Sequence, residues 1–234
     1  MITRDWDLLT FDCYGTLIDW EDGIGAALGR ILARHGVSAP RDELLRSFAE
    51  HEARLEHGAY RPYREILAAV ATAVGADRGV RISASDAVGL PESLPAWRPF
   101  PDTIGSLRRL AQSYRLGVLS NVDDDLFAAT AEVLGIAFAP VVTAQQVGSY
   151  KPADVNFERL VELAGVPRER MLHVAQSLYH DIGPAARHGI ATVWVDRRGT
   201  PGGATPAASA DADWVVPDLA TLAEQLCRTP EPRT

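Results

Sequence analysis

Five short apolar runs, each bounded by turn residues, constrain the fold of this 234-residue chain more than any other feature. Runs without a strict alternation of apolar and polar residues are typical of strands buried on both faces of a sheet. Helical patterns lie between them, and this alternation predicts right-handed crossovers. We therefore expect an α/β fold, a Rossmann-like parallel sheet with helices on both faces. The predicted strands are residues 7–11, 116–120, 171–175, 191–195 and 213–216, and the predicted helices are residues 102–114, 123–135, 154–165 and 217–226.

Residues 21–97 interrupt this alternation, because helical patterns follow one another there without a strand pattern. The patterns cover residues 22–36, 41–58 and 63–75. The proline-rich stretch PAWRPFP at 95–101 comes next and suits a hinge. We therefore expect a helical cap, residues 21–97, inserted after the first strand of a core domain that comprises residues 1–20 and 98–234.

The composition excludes several classes of protein. A formal net charge of -8 and a pI of about 5.2 imply no basic face, so nucleic acid is not expected as a partner. Two cysteines, Cys13 and Cys227, are too few for a disulfide framework and fit a reducing cytoplasm. The N-terminus lacks the apolar core of a signal peptide, and no run approaches the ~18 apolar residues of a membrane span. We expect a soluble cytoplasmic protein.

Polar residues follow the ends of three predicted strands. Asp12 follows the first strand, Ser120 and Asn121 end the second, and a polar loop follows Val174. Ligands of parallel α/β sheets bind at the carboxyl ends of the strands, so these residues should share one edge. Asp12 is either a turn cap or a nucleophilic carboxylate, with Gly15 allowing a tight turn and Thr16 supplying a hydroxyl.

Four stretches resemble, in chain order, the four motifs of the haloacid dehalogenase superfamily. They are FDCYGTL at 11–17, GVLSN at 117–121, GSYKP at 148–152 and HVAQSLYHD at 173–181. The resemblance covers nearly the whole chain. It implies that Asp12 is the nucleophile, that Lys151 is the cation facing it, and that Asp181 is the carboxylate that closes the fourth motif.

The superfamily name leaves the reaction open, since most members are magnesium-dependent phosphatases. Those members resemble one another in a second aspartate two positions after the nucleophile, the general acid, where this chain has Tyr14. They also show Gly-Asp in the fourth motif, where this chain has Ala175-Gln176. A tyrosine with a pKa near ~10 is a poor proton donor, and an amide is a weaker magnesium ligand than a carboxylate.

These departures favour a reaction that needs neither an acid nor a metal, namely displacement of halide from carbon. The resemblance then implies attack by Asp12 on the halogen-bearing carbon, an enzyme ester, and hydrolysis of that ester to a hydroxy acid. Lys151 would hold Asp12 ionised, and Asp181 would orient or deprotonate the water. We therefore expect a 2-haloacid dehalogenase that uses no metal or other cofactor.

A halide-binding group is expected on the cap. The type II 2-haloacid dehalogenases carry an arginine shortly before a tyrosine on a cap helix, and EARLEHGAY at 52–60 is similar, with Arg54 and Tyr60. Arg54 is therefore the predicted halide and substrate clamp. The alternative is an exposed arginine that pairs with Glu50, in which case Arg61 and Arg64 are the reserve candidates.

The remaining predicted contacts bind or enclose the substrate. Ser120 and Asn121 are expected to bind its carboxylate. Tyr14, Trp20 and Tyr60 are candidates for the pocket wall, and Ser177 is the candidate from the fourth motif. The family pattern has a tyrosine six residues after the lysine and a Ser-Asn pair before the last aspartate. This chain departs from it at Phe157, Gln176 and Leu178.

Two other functions remain open at this stage. One is a magnesium-dependent phosphatase acting on a small phosphorylated metabolite, with the ion held by Asp181 and the backbone carbonyl of Tyr14. The other is a binding protein that has lost turnover. In each case the partner is a small molecule, and relatives with this type of cap suggest a possible homodimer.

Overall fold

The computed structural model describes residues 2, 5–197 and 208–227, and within them six strands form one sheet. All pairings are parallel, and the strand order is β3-β2-β1-β4-β5-β6. The predicted parallel α/β fold is therefore confirmed. The strands are β1 Leu8–Phe11, β2 Arg115–Ser120, β3 Val141–Thr143, β4 Met171–Ala175, β5 Ala191–Val195 and β6 Trp214–Val216.

The central strand β1 determines where a ligand can bind. It pairs with β2 on one side and β4 on the other, and Phe11 lies in register with Val118 and Val174. The sheet grows in opposite directions from this point, which opens a crevice outside the carboxyl ends of the strands. Asp12 is the first residue beyond β1 and therefore stands in that crevice.

The sequence analysis missed β3. This strand has three residues, lies at the edge of the sheet and pairs only with the end of β2, so it is too short to stand out as an apolar run. Gly117 in β2 allows the chain before β3 to approach closely. A Cβ atom on Gly117 would lie 3.0 Å from the carbonyl oxygen of Pro140.

Helices cover both faces of the sheet, as predicted. Adjacent residues of β1 pack into different apolar clusters: Leu9 packs with Leu107, while Leu8 packs with Phe157. Two predicted helices are too long, because residues 111–114 turn into β2 and α10 begins only after Asp218 caps it. The helices that cover the sheet are α5 Thr103–Leu110, α6 Asp124–Leu134, α7 Ala144–Val147, α8 Asp154–Ala164, α9 Gly183–Arg187 and α10 Leu219–Leu226.

The helical patterns after the first strand also form helices. Asp19 caps the first of them, accepting a hydrogen bond from the backbone N–H of Asp22 at 3.3 Å. Phe48 and Ile66 are fully buried among these helices. The helices are α1 Trp20–Ala33, α2 Arg41–Glu56, α3 Tyr63–Ala76 and α4 Ala84–Ala87, followed by a 3₁₀ turn at Pro91–Ala96.

The two ends of this helical segment lie side by side. The backbone N–H of Asp19 donates to the carbonyl of Arg98 at 2.8 Å, and that of Phe100 donates to the carbonyl of Leu17 at 3.1 Å. Adjacent ends are what an insertion into a loop requires. This pairing supports our proposal of a cap at 21–97 in a core of 1–20 and 98–234, parts of which lie outside the described residues.

In the described ranges, no helix is long and apolar enough to cross a membrane.

Candidate active site

The turn after β1 places a hydroxyl against the Asp12 carboxylate. Gly15 has a φ of +94°, and a Cβ atom there would lie 3.0 Å from the indole nitrogen of Trp20, so glycine is required. The turn brings the Thr16 hydroxyl back to Asp12, to which it donates a hydrogen bond at 2.7 Å (Oγ1 to Oδ2). The backbone N–H of Gln176 donates to the same Thr16 oxygen at 2.9 Å. One oxygen of Asp12 is thereby held in place.

Lys151 holds the other oxygen of Asp12. Its Nζ donates to Asp12 Oδ1 at 2.9 Å, to Asp181 Oδ1 at 2.6 Å and to the carbonyl of Leu119 at 2.9 Å. Burial by itself lowers the pKa of Lys151, but the two carboxylates raise it above its usual value. The ammonium therefore stays charged, and its three protons are all engaged.

Asn121 has a different contact from the one predicted. Its side-chain oxygen accepts a hydrogen bond from the backbone N–H of Lys151 at 2.7 Å, and its Nδ2 donates to the carbonyl of Lys151 at 3.1 Å. The side chain lines the cavity beside Asp12, but these two bonds engage both ends of its amide. Asn121 thus positions the lysine, whereas Ser120 Oγ is buried without a hydrogen-bond partner among the described residues.

Asp181 is oriented by a buried histidine that the sequence analysis did not single out. His173 Nε2 lies 3.0 Å from Asp181 Oδ1, and His173 Nδ1 lies 2.9 Å from Thr10 Oγ1. Because a carboxylate only accepts hydrogen bonds, Nε2 carries a proton and donates it to Asp181. In the sequence, the feature that could have pointed to His173 is its position within the apolar run MLHVA. Within the described residues, Asp181 Oδ2 is buried without a partner.

The two carboxylates have pKa values shifted in opposite directions. Burial raises the pKa of Asp12 above its usual value, Lys151 counteracts this, and the negative charge of Asp181 adds to it. Burial alone would also raise the pKa of Asp181, but Lys151 and His173 hold it below its usual value. The ionised form of Asp181 is therefore the more strongly favoured of the two.

Tyr14 turns its hydroxyl away from Asp12. The hydroxyl lies 2.9 Å from Thr130 Oγ1 on α6, and the ring packs edge-on against Trp97 with centroids 6.0 Å apart. Burial raises the pKa of Tyr14 well above its usual value. Tyr14 therefore lines the cavity beside Asp12 and is not suited to protonate a leaving group.

These residues enclose a cavity of about 40 Å³. Helices α1, α2 and α3 cover it from the side opposite the sheet. Its lining residues are Asp12, Tyr14, Trp20, Glu52, Glu56, Tyr63, Ser120, Asn121, Lys151, Gln176, Ser177, His180 and Asp181.

The structure does not bring the predicted clamp Arg54 to this cavity. Glu52 and Glu56 line it instead, and Arg54 is exposed. Arg54 is two positions from each glutamate, about 200° around the helix axis, so it points away when they point inward. Tyr60 is also outside the lining and packs on Tyr150 with ring centroids 5.4 Å apart.

The reserve arginines are engaged elsewhere. Arg61 faces Glu65 at 3.5 Å, and Arg64 pairs with Asp125 on α6. Another arginine, missed by the sequence analysis, supports the turn after β1. Arg197 donates from Nε to the carbonyl of Thr16 at 2.8 Å and from NH1 to Asp102 at 3.0 Å. No motif pointed to this contact.

The fourth-motif residues beside Asp181 form part of the wall. Ser177 Oγ accepts a hydrogen bond from the backbone N–H of His180 at 2.9 Å, which begins the turn that carries Asp181. Burial lowers the pKa of His180 to about 4, so its ring is neutral at pH 7. Phe157 is fully buried against His173 and lies on the far face of the sheet, outside the cavity lining.

A divalent metal fits this donor set poorly. The Lys151 ammonium already bridges one oxygen of Asp12 and one of Asp181, and Thr16 binds the second oxygen of Asp12. The position where phosphatases carry a further carboxylate holds the amide of Gln176. No cluster of three or more histidine, cysteine, aspartate or glutamate side chains suited to a metal occurs in the described part of the chain.

Comparison with known proteins relates this geometry to a family. Haloacetate dehalogenase H-2 of Moraxella sp. (strain B) is 26% identical over 198 residues, which span 82% of this chain and 87% of that protein. (S)-2-Haloacid dehalogenase H-109 of Pseudomonas putida is 30% identical over 105 residues, 43% of this chain and 46% of that protein.

Solved structures share the fold. The L-2-haloacid dehalogenase from Xanthobacter autotrophicus, with chloropropionic acid covalently bound, superposes with a TM-score of 0.81 at 18% identity and covers 94% of this chain and 98% of that one. Residues 6–189 match the family model described as haloacid dehalogenase-like hydrolase. The strand order and the motif residues at the carboxyl ends of the strands agree with this match. The chain therefore belongs to the haloacid dehalogenase-like hydrolase family.

Proposed function

We propose that this protein hydrolyses small 2-haloacids to 2-hydroxy acids through an ester on Asp12, without a metal ion. The observation that carries the proposal is the surroundings of Asp12. Its two oxygens are held by Lys151 and Thr16, while the hydroxyl of Tyr14 is bound to Thr130. This nucleophile suits a leaving group that departs without a proton, and halide is such a group.

The relatives support the same chemistry. The two curated relatives are a haloacetate dehalogenase and an (S)-2-haloacid dehalogenase, and the Xanthobacter enzyme holds chloropropionic acid covalently. A covalent adduct in a protein of the same fold is consistent with an ester intermediate here. The substrate class and the ester on Asp12 are our inference from that likeness together with the geometry.

The first step is displacement at carbon. An oxygen of Asp12 attacks the halogen-bearing carbon from the rear, the new C–O bond forms, and the halide leaves with the electron pair of the C–X bond. Lys151 and Thr16 fix the carboxylate for this attack. The free hydroxyl of Ser120 is available to bind the substrate's carboxylate.

The second step is hydrolysis of the ester. Water attacks the carboxyl carbon of Asp12, and the unpartnered Oδ2 of Asp181 accepts its proton. Lys151 stabilises the negative charge of the tetrahedral intermediate. The intermediate collapses, the departing oxygen takes up a proton, and the 2-hydroxy acid leaves with Asp12 restored.

A direct assay tests the proposal. Purified protein is given chloroacetate or 2-chloropropionate with EDTA, and halide release is measured. In parallel it is given p-nitrophenyl phosphate with Mg²⁺. Halide release without metal supports the proposal, whereas phosphate release only with Mg²⁺ would establish the phosphatase alternative. The predicted partner is a small molecule, and the homodimer and the cytoplasmic location stay predictions.

A further inference from the structure

The cavity beside Asp12 has a charge balance that does not suit an anionic substrate. Four carboxyl groups line it: Asp12 and Asp181 on the sheet side, and Glu52 and Glu56 on α2. Among the described lining residues, Lys151 is the cation, because His180 is neutral at pH 7. Both a 2-haloacid and the halide that leaves it are anions. If all four carboxyl groups were ionised, they would repel each of them.

Glu52 and Glu56, which together are called the Glu52–Glu56 pair, line the cavity from the same helix. They are four positions apart on α2 and therefore lie on one face of the helix. Glu52 is 6% exposed, and its Oε1 accepts a hydrogen bond from the Tyr63 hydroxyl at 2.6 Å. Glu56 is partly exposed at the edge of the same cavity. Both carboxyl groups belong to the wall that faces the sheet, opposite Asp12.

The surroundings favour the protonated form of both glutamates. Burial raises the pKa of Glu52 to about 7, although the Tyr63 hydrogen bond acts in the other direction. Burial, and then the charge of Glu52, raise the pKa of Glu56 well above its usual value, with Lys151 opposing. The titratable and charged groups that face the pair from neighbouring elements are Asp12, Tyr63, Tyr150, Lys151, His180 and Asp181.

No cation in the described lining remains to receive a halide. All three protons of Lys151 are engaged by Asp12, Asp181 and the carbonyl of Leu119. Rear-side attack by Asp12 places the leaving halide on the opposite side of the carbon, which is the α2 side of the cavity. A protonated carboxyl group is a hydrogen-bond donor, while an ionised one only accepts.

We propose that Glu56 is protonated and donates its O–H to the departing halide, in the place where an arginine was expected. This proposal rests on the proposed function. As the Asp12–carbon bond forms and the carbon–halogen bond breaks, the halide takes the electron pair and the proton stays on Glu56. Nothing is oxidised or reduced. Tyr63 is the positioning residue that fixes Glu52.

The position of Glu56 also suits release of the halide. A second cavity, of about 510 Å³, lies beside the first, and Glu56, Lys151 and His180 line both. Glu56 therefore lies between the cavity beside Asp12 and the larger second cavity. A halide accepted there is already on the path outward, and the pair can exchange its proton with solvent along the same route.

Bromide binding tests the proposal independently of turnover. We expect bromide to quench the fluorescence of the protein, in which Trp20 lines the cavity, with an affinity at least about tenfold higher at pH 6 than at pH 9. The double variant Glu52→Gln/Glu56→Gln, which keeps N–H donors that do not titrate, should bind bromide equally at both pH values. Glu56→Ala should bind it weakly at both. Glu50→Gln, an exposed change on the same helix, is the control and should behave as the wild type.

The outcomes separate this proposal from the proposed function. Bromide affinity that does not change with pH in the wild type, or that still changes in Glu52→Gln/Glu56→Gln, would overturn the role of the pair. Binding that follows the expected pattern in a protein that releases no halide from 2-chloropropionate would retain the pair as a halide site and overturn the dehalogenase. Circular dichroism of each variant confirms that it is folded.

Discussion

The two walls of the cavity are built differently. On the sheet side, Asp12 and Lys151 are held by several hydrogen bonds to side chains and backbone that come from the ends of neighbouring strands. On the α2 side, Glu52 has one hydrogen bond from Tyr63, and Glu56 stands partly exposed at the edge of a wider cleft. The sheet side therefore presents a rigid nucleophile, and the α2 side presents groups whose charge can change.

This contrast indicates a division of tasks. A nucleophile and a water-activating base need fixed geometry, since a small misplacement lowers the rate strongly. A group that receives a leaving anion needs the right charge and enough freedom to admit and release it. The four predictions that follow test the two walls separately.

The largest effect is expected at the nucleophile. Asp12→Asn removes the attacking oxygen anion while keeping the shape of the side chain, and halide release should fall by about 10⁴-fold or more. Mass spectrometry of wild-type protein after one turnover in heavy-oxygen water should find the label in Asp12. Unlabelled Asp12 with label in the product alone would show that water attacks the substrate directly.

A somewhat smaller loss of activity is expected when Asp181, the general base on the sheet side, is replaced. Asp181→Asn removes the acceptor for the water proton and should slow ester hydrolysis by about 10²- to 10⁴-fold. The first step survives, so the intact mass of the variant should rise by the mass of the substrate acid minus that of the hydrogen halide. A variant that slows without forming any adduct would place Asp181 in the first step.

On the α2 side, Glu52 should make stability depend on pH. Its pKa rises from 4.5 unfolded to about 7 folded, so its stabilising contribution is full below pH 4.5 and is lost as the pH rises through about 7. Relative to the wild type, Glu52→Gln should gain about 3 kcal/mol of unfolding free energy between pH 4.5 and pH 8.5. Urea titrations measure this, with Glu50→Gln as the control. A constant difference across that range would mean that Glu52 is ionised throughout.

The smallest effect is expected at Arg54. Its side chain is exposed and lies outside the cavity, so Arg54→Ala should change halide release by less than about twofold. Steady-state kinetics at pH 7 with 2-chloropropionate measure this. A loss of a hundredfold would show that α2 turns its other face to the substrate during turnover and would restore Arg54 as the clamp.

Much of the sheet side was predictable. Five of the six strands were predicted from apolar runs, and parallel pairing brings the ends of such strands to one edge. The four motifs that resemble the family pointed to Asp12, Ser120, Lys151 and Asp181, all of which line the cavity. The strand β3 was missed because three residues carry too little pattern. The contact of Asn121 with the lysine backbone was equally hidden, because it depends on how two distant loops meet.

The α2 side was not predictable in detail. Its sequence predicts a helix correctly, but acidic and basic residues occur around it, so composition does not say which of them face a ligand. The rotation of the helix is set by apolar residues such as Leu45 and Phe48, which are buried. That rotation turned Glu52 and Glu56 inward and Arg54 outward.

By itself, the sequence determined the α/β class, five of the six strands and, through motifs that resemble a family, the candidate residues Asp12, Lys151 and Asp181, because such patterns are read along one stretch of chain at a time. Only the tertiary structure decided which face of α2 covers Asp12, that His173 orients Asp181, and that Asn121 holds Lys151. The α2 and Asn121 contacts join residues that are far apart in the chain, and the His173 contact spans eight positions but depends on how the turn after β4 packs. Their geometry depends on how whole elements pack, and no single segment encodes it.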